Sequence, residues 1–313
     1  MLTTTDLRRT LLERLVDDAG LFPPARLPMA DALTGHAANR VGPLAWLQGR
    51  FIVPASRLGE MGAAWPEGLA ALRLSVIGDS AGVADVGSFP DALEADLAAA
   101  AAAERADGRL RVELVEVRVP DPAAVALIGP AIRRAAFAGP VASYVEAADS
   151  TDADALRAHV AAVATERANG ATRAGAKVRT GGLEPAMFPD PAAVAAFLAA
   201  CVAEGVPFKA TAGLHHPVRG DDPASGLRMH GFINLLAAVA LLHAGELDAA
   251  SATTVVAEED AGAFVVTADA FGWRGRTVEG PAVASVRAEA FTSYGSCSFD
   301  EPTADLAALG WLP

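Results

Sequence analysis

The 313-residue sequence predicts a parallel (β/α) barrel of the TIM type, with helices ahead of it and an irregular last third. Three observations carry that expectation. Short apolar, β-branched runs alternate with alanine-rich helical stretches at about 30–35 residues per unit, the pattern of right-handed βαβ crossovers and a parallel sheet. Hydrophobic residues make up 52% of the chain but aromatics only 6%, so the core is built of Ala, Val and Leu, which suits helices packed closely on a sheet. The first two strands are followed by PASRLGE and GDSAGV, neither a GxGxxG nor a Walker loop, which disfavours an open nucleotide-binding sheet.

Taken in order, residues 4–19 read as an amphipathic helix, with Leu7, Leu11, Leu12 and Leu15 on one face. Gly20 and Pro23-Pro24 stop it. A second helix covers about 29–39. The strand pattern then begins: 50-RFIVPA-55, 73-RLSVIG-78, 111-RVELVEVRV-119, 141-VASYVEA-147, 175-GAKVRTG-181 and 206-VPFKATAG-213. Two further runs, 253-TTVVA-257 and 263-AFVVTA-268, complete the series. Helices are expected between them at about 56–70, 89–106, 122–136, 152–168 and 190–204. Pro90, Pro122 and Pro191 sit at first turns, with Asp121 and Asp190 ahead as caps. DAFGWRGRTVEG reads as a hairpin or surface excursion, 281–291 as a helix, and Pro302 opens a last helix that ends at Gly310. The expected organisation is one barrel domain over 1–313, with 1–45 as a helical extension and 270–313 as a tail packed on the barrel.

The formal charge of −13 argues against nucleic acid or an anionic membrane as partner, since phosphate binding needs clustered Lys and Arg. Two cysteines, Cys201 and Cys297, make neither a disulfide framework nor a CxxC site and fit a reducing, cytoplasmic compartment. The opening stretch mixes charges with leucines and is not expected to be a signal peptide. FINLLAAVALLHAG, at about 14 residues, is shorter than the ~20 of a membrane span. A homo-oligomer is compatible with all of this.

The chemistry is read from alternation within the strands, where residues i and i+2 share a face. Glu116 and Arg118, Tyr144 and Glu146, Lys177 and Arg179, and Lys209 and Thr211 are four such pairs, and Val115, Val117, Val145 and Val178 take the opposite face. The valine face belongs against the helices, so the charged face must look into the lumen near the C-terminal strand ends. Buried charge is costly unless paired or used, so a mixed-charge cluster there marks a site. The loops after these strands add Gly181 and Gly182, with free backbone N–H groups, and His215, His216 and Arg219. His230 and Asn234 are four apart at the start of a helix. So many donors point to a small anionic substrate, a carboxylate or a phosphate.

A lysine in a dry pocket beside a second cation has a lowered pKa and can form a Schiff base with a carbonyl compound. Glu146 or Glu116 would serve as base and Tyr144 as proton relay. FKATAG, 208–213, resembles the K-x-[ST]-x-G strand of class I aldolases of the deoxyribose-phosphate aldolase type, and AKVRTGG, 176–182, is similar to their other lysine strand. The resemblance spans these two short segments. It implies lyase chemistry without a cofactor, Lys209 as the Schiff-base lysine and Lys177 as the cation that depresses its pKa. Two alternatives stand beside it. One is a metal-assisted hydrolase or isomerase built on Glu116, Glu146 and one of His215 or His230, although no H-x-H or HExxH spacing occurs and the nearby cations disfavour a metal. The other is a non-catalytic protein that binds a small anion.

Two segments lie outside the strand pattern. 17-DDAGLFPPARLPM-29 is expected as a structured loop that either closes the barrel bottom or reaches the mouth. The tail 293-SYGSCSFDEP-302 is expected to fold over the mouth as a lid offering Ser296, Ser298 or Glu301, and Cys297 has no base identifiable beside it.

Overall fold

The computed structural model describes residues 4–82, 86–170 and 173–312. Among these, eight parallel strands close into a barrel: β1 (Val16–Asp18), β2 (Gln48–Pro54), β3 (Leu72–Ile77), β4 (Leu110–Arg118), β5 (Ala142–Glu146), β6 (Arg173–Arg179), β7 (Phe208–Thr211) and, far along the chain, β13 (Phe291–Ser296), which pairs with both β7 and β1. The fold is the TIM-type barrel that the alternation predicts.

The helices cover its outside. α1 (Thr4–Leu12) precedes β1, and α2 (Met29–Val41) follows it. α3 (Phe89–Ala106), α4 (Val125–Ala135), α5 (Ala153–Ala168) and α6 (Pro191–Glu204) follow β3, β4, β5 and β6. Asp121 caps the 3₁₀ turn before α4 by accepting from Ala124 N–H, whereas Asp190 stands ahead of Pro191 without a side-chain cap bond. Residues 185–204 are apolar enough over 20 residues to cross a membrane, but α6 turns Val194, Phe197 and Leu198 into the core. Val76, Val115 and Val117 meet Leu93, Leu97 and Ala100 of α3, so the valine face is indeed the helix face.

Four expectations need correction. Residues 4–19 are not one helix: α1 ends at Leu12, Arg14 turns with φ 53°, and 16–18 form a barrel strand. The supposed extension 1–45 therefore supplies the first strand, and the supposed tail 270–313 the last. A three-residue strand is too short to display period-2 alternation, and Leu15 also satisfied the helical spacing. The run 253–257 is helical: α8 (Ala249–Val256) is capped by Asp248, which accepts from Ser251 N–H, and buries Val255 and Val256. Here tertiary burial overrides the β propensity of Thr and Val. The run 263–268 is a strand, β10 (Phe264–Val266), but it lies outside the barrel in an antiparallel sheet with β11 (Ala270–Trp273) and β12 (Arg276–Glu279), the expected hairpin. Finally, the helix expected over 56–70 is only a 3₁₀ turn, Ala55–Glu60, in a segment that carries Gly59, Gly62, Pro66 and Gly68.

Between β7 and β13 the chain makes a long excursion. A two-residue ladder, β8 (Gly220–Asp221) with β9 (Arg228–Met229), leads to the buried α7 (Phe232–His243), then to α8, the small sheet and α9 (Gly280–Glu289). After β13, α10 (Asp300–Ala308) ends at Gly310, whose φ of 70° suits a helix stop.

Candidate active site

β4, β5, β6 and β7 are consecutive neighbours, and their register puts Glu116 opposite Tyr144, Glu146 opposite Lys177 and Lys177 opposite Lys209. Glu116 joins the two lysines. Its Oε1 accepts from Lys209 Nζ at 2.6 Å, and its Oε2 lies 2.7 Å from Lys177 Nζ as an ion pair with no aligned hydrogen bond. Lys177 Nζ is also 2.8 Å from Glu146 Oε2, and Arg179 Nε is 3.1 Å from Glu146 Oε1.

On its other side Lys209 reaches a residue absent from the sequence-based candidates. Its Nζ donates to Asp17 Oδ2 at 2.5 Å, and Ser293 Oγ donates to the same oxygen at 2.7 Å. Asp17 Oδ1 accepts from Arg50 N–H at 2.6 Å. It occupies the space beside Gly49, where a Cβ would come within 2.1 Å of it, so β2 needs glycine there. Below, Arg50 pairs with Glu113, and Glu113 with Arg14. A chain of alternating charge thus runs through the barrel: Arg14, Glu113, Arg50, Asp17, Lys209, Glu116, Lys177, Glu146, Arg179.

Burial by itself would raise the three deep carboxylates, but their cations outweigh it. Asp17 is lowered by Lys209 and Arg50, Glu116 by both lysines, and Glu146 by Lys177 and Arg179. Burial would lower Lys177, but Glu116 and Glu146 raise it instead. Lys177 thus does not face Lys209 as an uncompensated cation. Glu116 stands between the two ammonium groups and compensates both.

Exposure separates the lysines. The Lys209 side chain is 0% exposed and Lys177 4%, while Arg179, next along β6, is 37% exposed. Lys177 therefore lies toward the Arg179 rim, two steps along the network from it, and Lys209 lies in the buried middle, between Asp17 and Glu116. Beside Arg179, the backbone N–H groups of Gly181 and Gly182 take no acceptor among the described residues. Thr180 ties this loop to the one after β7, donating from Oγ1 to Ala212 O at 2.5 Å. Gly181 and Gly213 pack so closely that a Cβ on either would come within 2.9 Å of the other's Cα.

Other candidates do not join. Arg118 is exposed at the rim and donates to Ala148 O. Tyr144 is no relay for Glu146: its ring packs on Gly175, its hydroxyl approaches Thr292, and burial raises its pKa. His230 Nε2 donates to Pro189 O, and burial pushes the ring down to about 4. Asn234 is structural, accepting from Arg219 N–H and donating to Val255 O and Glu258 O. Arg219 Nε faces Glu259 at 3.9 Å. His215 and His216 pair with Glu301 and Asp305 of α10, which carries the chain end across this rim. His215 does not meet Glu116 and Glu146, and among the described residues no group of three His, Cys, Asp or Glu side chains could hold a metal ion. The metal-site alternative loses its ligand set, because Glu116 and Glu146 are already neutralised by lysines.

Asp17 and Ser293 escape the sequence pattern for the same reason: each sits in a barrel strand whose residues also fit a helix or a tail. The visible signals were the adjacent acids 17–18 and the aromatic, β-branched run FTSYG at 291–295. The 17–29 segment is thus no bottom cover at its start, since Asp17 faces the site itself.

The network predicts an acid limb in stability. The three carboxylates, ordinarily at 3.8 or 4.5, are lowered in the fold, so their contribution is whole above those values and is lost as pH falls through the lowered ones. His230 acts in the same direction: its ordinary 6.5 drops to about 4, and stability is lost as pH falls between them. Calorimetry should find Tm declining below pH 6.5 and dropping steeply below pH 4. A Tm level from pH 6 to pH 3 contradicts the paired network.

No family model matches the chain, and no curated protein matches it. Among solved structures, a deoxyribose phosphate aldolase from Aeropyrum pernix, described as having a unique tetrameric structure, is similar at 15% identity. That likeness covers 67% of this chain and 85% of the other, with a TM-score of 0.42. The barrel assignment rests on this chain's own closed strand order.

Proposed function

We propose that this protein is a lysine-dependent lyase of the aldolase type acting on a small anionic carbonyl compound, with Lys177 as the amine. The observation that carries the reading is the position of Lys177. It lies between two carboxylates at 2.7 and 2.8 Å, toward the Arg179 rim. The roles that the sequence resemblance implies for the two lysines are exchanged. Lys209, sealed between Asp17 and Glu116, balances charge.

In the resting state Lys177 is an ammonium, so it must give up a proton before it can attack. Glu146 and Glu116 are both within reach to take it, and a carbonyl compound entering beside Lys177 must break one of these ion pairs for the transfer to occur. The free amine adds to the carbonyl carbon, and the oxygen takes back the carboxylic acid's proton and leaves as water. The electron pair of the C–C bond that breaks passes into the iminium to give an enamine as an aldehyde departs. Glu146 takes the substrate hydroxyl's proton as that bond breaks. Protonation of the enamine and hydrolysis free Lys177. Arg179 and the Gly181 and Gly182 amides supply the donors for the substrate's anionic group.

Sodium borohydride reduction in the presence of pyruvate, acetaldehyde or glyceraldehyde 3-phosphate tests this. A stable adduct on Lys177, identified by peptide mass spectrometry, is expected. Failure of every probe to leave an adduct overturns the lyase reading. A second reading, a non-catalytic anion-binding barrel, is favoured by the double pairing of both ammonium groups. Phosphate or carboxylate binding by calorimetry without any trapped adduct supports that one instead.

A further inference from the structure

A cysteine, a histidine and a carboxylate from three separate segments meet at the same rim. Cys297 directly follows β13, His215 lies in the loop after β7, and Glu301 is in the first turn of α10. Cys297 Sγ is 3.8 Å from His215 Nε2, and His215 Nδ1 is 2.8 Å from Glu301 Oε2. A carboxylate only accepts, so Nδ1 carries a proton and Nε2 is the nitrogen that faces the sulfur. This is a nucleophile beside a base that a third group orients. None of its members belongs to the lysine network.

The arrangement is built rather than incidental. The turn that presents Cys297 is closed by Ser296, whose Oγ donates to Ser298 O at 2.6 Å. Ser298 Oγ accepts from Glu301 N–H at 3.2 Å, so the same turn positions the carboxylate. α10 is tied to the histidine loop a second time through His216, whose Nδ1 is 2.6 Å from Asp305 Oδ2 and whose Nε2 is 3.1 Å from Asp222 Oδ1. The groups facing His215 are the Cys297 thiol and the Glu301 carboxylate; the thiol above all, together with Glu301 and against burial, raises its pKa to about 9. Cys297 is partly exposed, whereas Cys201 is buried in α6 and burial pushes its thiol up.

We propose that Cys297, His215 and Glu301 form a second reactive centre, a cysteine–histidine–glutamate triad whose substrates are small activated acyl compounds, esters or thioesters. The thiolate attacks the acyl carbon, forming an S–C bond. The bond from that carbon to the leaving oxygen or sulfur breaks, and the leaving group takes the proton from His215 Nε2. Water, deprotonated by the now neutral His215, then attacks the thioester. The S–C bond breaks, a carboxylic acid departs, and the thiolate returns beside a protonated His215.

The full-length chain mixed with 4-nitrophenyl acetate should release a burst of one equivalent of 4-nitrophenolate per chain and carry an acetyl group on Cys297, but none on Cys201. Cys297→Ala should abolish the burst. Glu301→Gln should slow it several-fold with the fold intact by circular dichroism. At pH 6, iodoacetamide should alkylate Cys297 on the order of ten-fold faster than glutathione, since an ordinary thiol of pKa ~8.5 is almost wholly protonated there. An alkylation profile like that of glutathione overturns the proposal, and so does fast alkylation with no acetyl transfer. Neither outcome bears on the Lys177 adduct, which is scored on a different residue.

Discussion

Glu116→Ala is expected to cost about 3–5 kcal/mol of folding stability, the range for breaking a buried ion pair by removing one partner. In melting temperature that is a fall on the order of 10 °C for a domain of this size. Glu116 is 1% exposed and serves both lysines, so its loss leaves two buried ammonium groups side by side with one carboxylate fewer. Ser75 Oγ, which donates to Glu116 Oε1 at 2.6 Å, is orphaned as well. Removing a lysine along with the glutamate should restore part of the loss, because the uncompensated charge goes with it. Urea denaturation of Glu116→Ala, Lys209→Met and the double variant measures this coupling directly. Additive losses, or a single-variant loss below about 1 kcal/mol, would show that solvent reaches the cluster and that the pairing is unimportant.

The second large effect concerns chemistry. Lys177→Met should remove the borohydride-trapped adduct altogether, while Lys209→Met should keep it at a lower rate. The reason is position: an entering carbonyl meets the lysine nearer Arg179, and Lys209 lies behind it between Asp17 and Glu116. Both variants lose a buried partner, so each is compared at a temperature where it is folded. The readout is the labelled peptide and not total activity, so a merely weakened fold cannot imitate it. An adduct on Lys209 in the unaltered chain would refute this ordering and return the lysines to the roles the strand resemblance implies.

Much of this site was legible from alternation alone. Glu116, Glu146, Lys177 and Lys209 fall on the lumen face because their neighbours Val115, Val117, Val145, Val178, Phe208 and Ala210 demand the helices. Alternation says which way a side chain points, not what it meets. It could not show that Glu116 reaches across to both lysines, nor that Tyr144, on the same face as Glu146, points away toward Thr292. His230 and Asn234 have the spacing of site residues but spend their hydrogen bonds on Pro189, Arg219 and Val255. Asp17, in a strand of three residues, left no periodic trace.

The amino-acid order alone determined the barrel class, the inward face of β4 to β7 and the identity of four of its charged groups, because period-2 and helical patterning are local consequences of which residues can be buried. The closed fold decided which charges pair, and that Asp17 completes the cluster from the first strand. It also decided that Cys297 finds His215 82 residues away. Pairing depends on distances of a few ångströms across the lumen and rim, and closure of the barrel, which brings β13 beside β7 and β1, is what sets them.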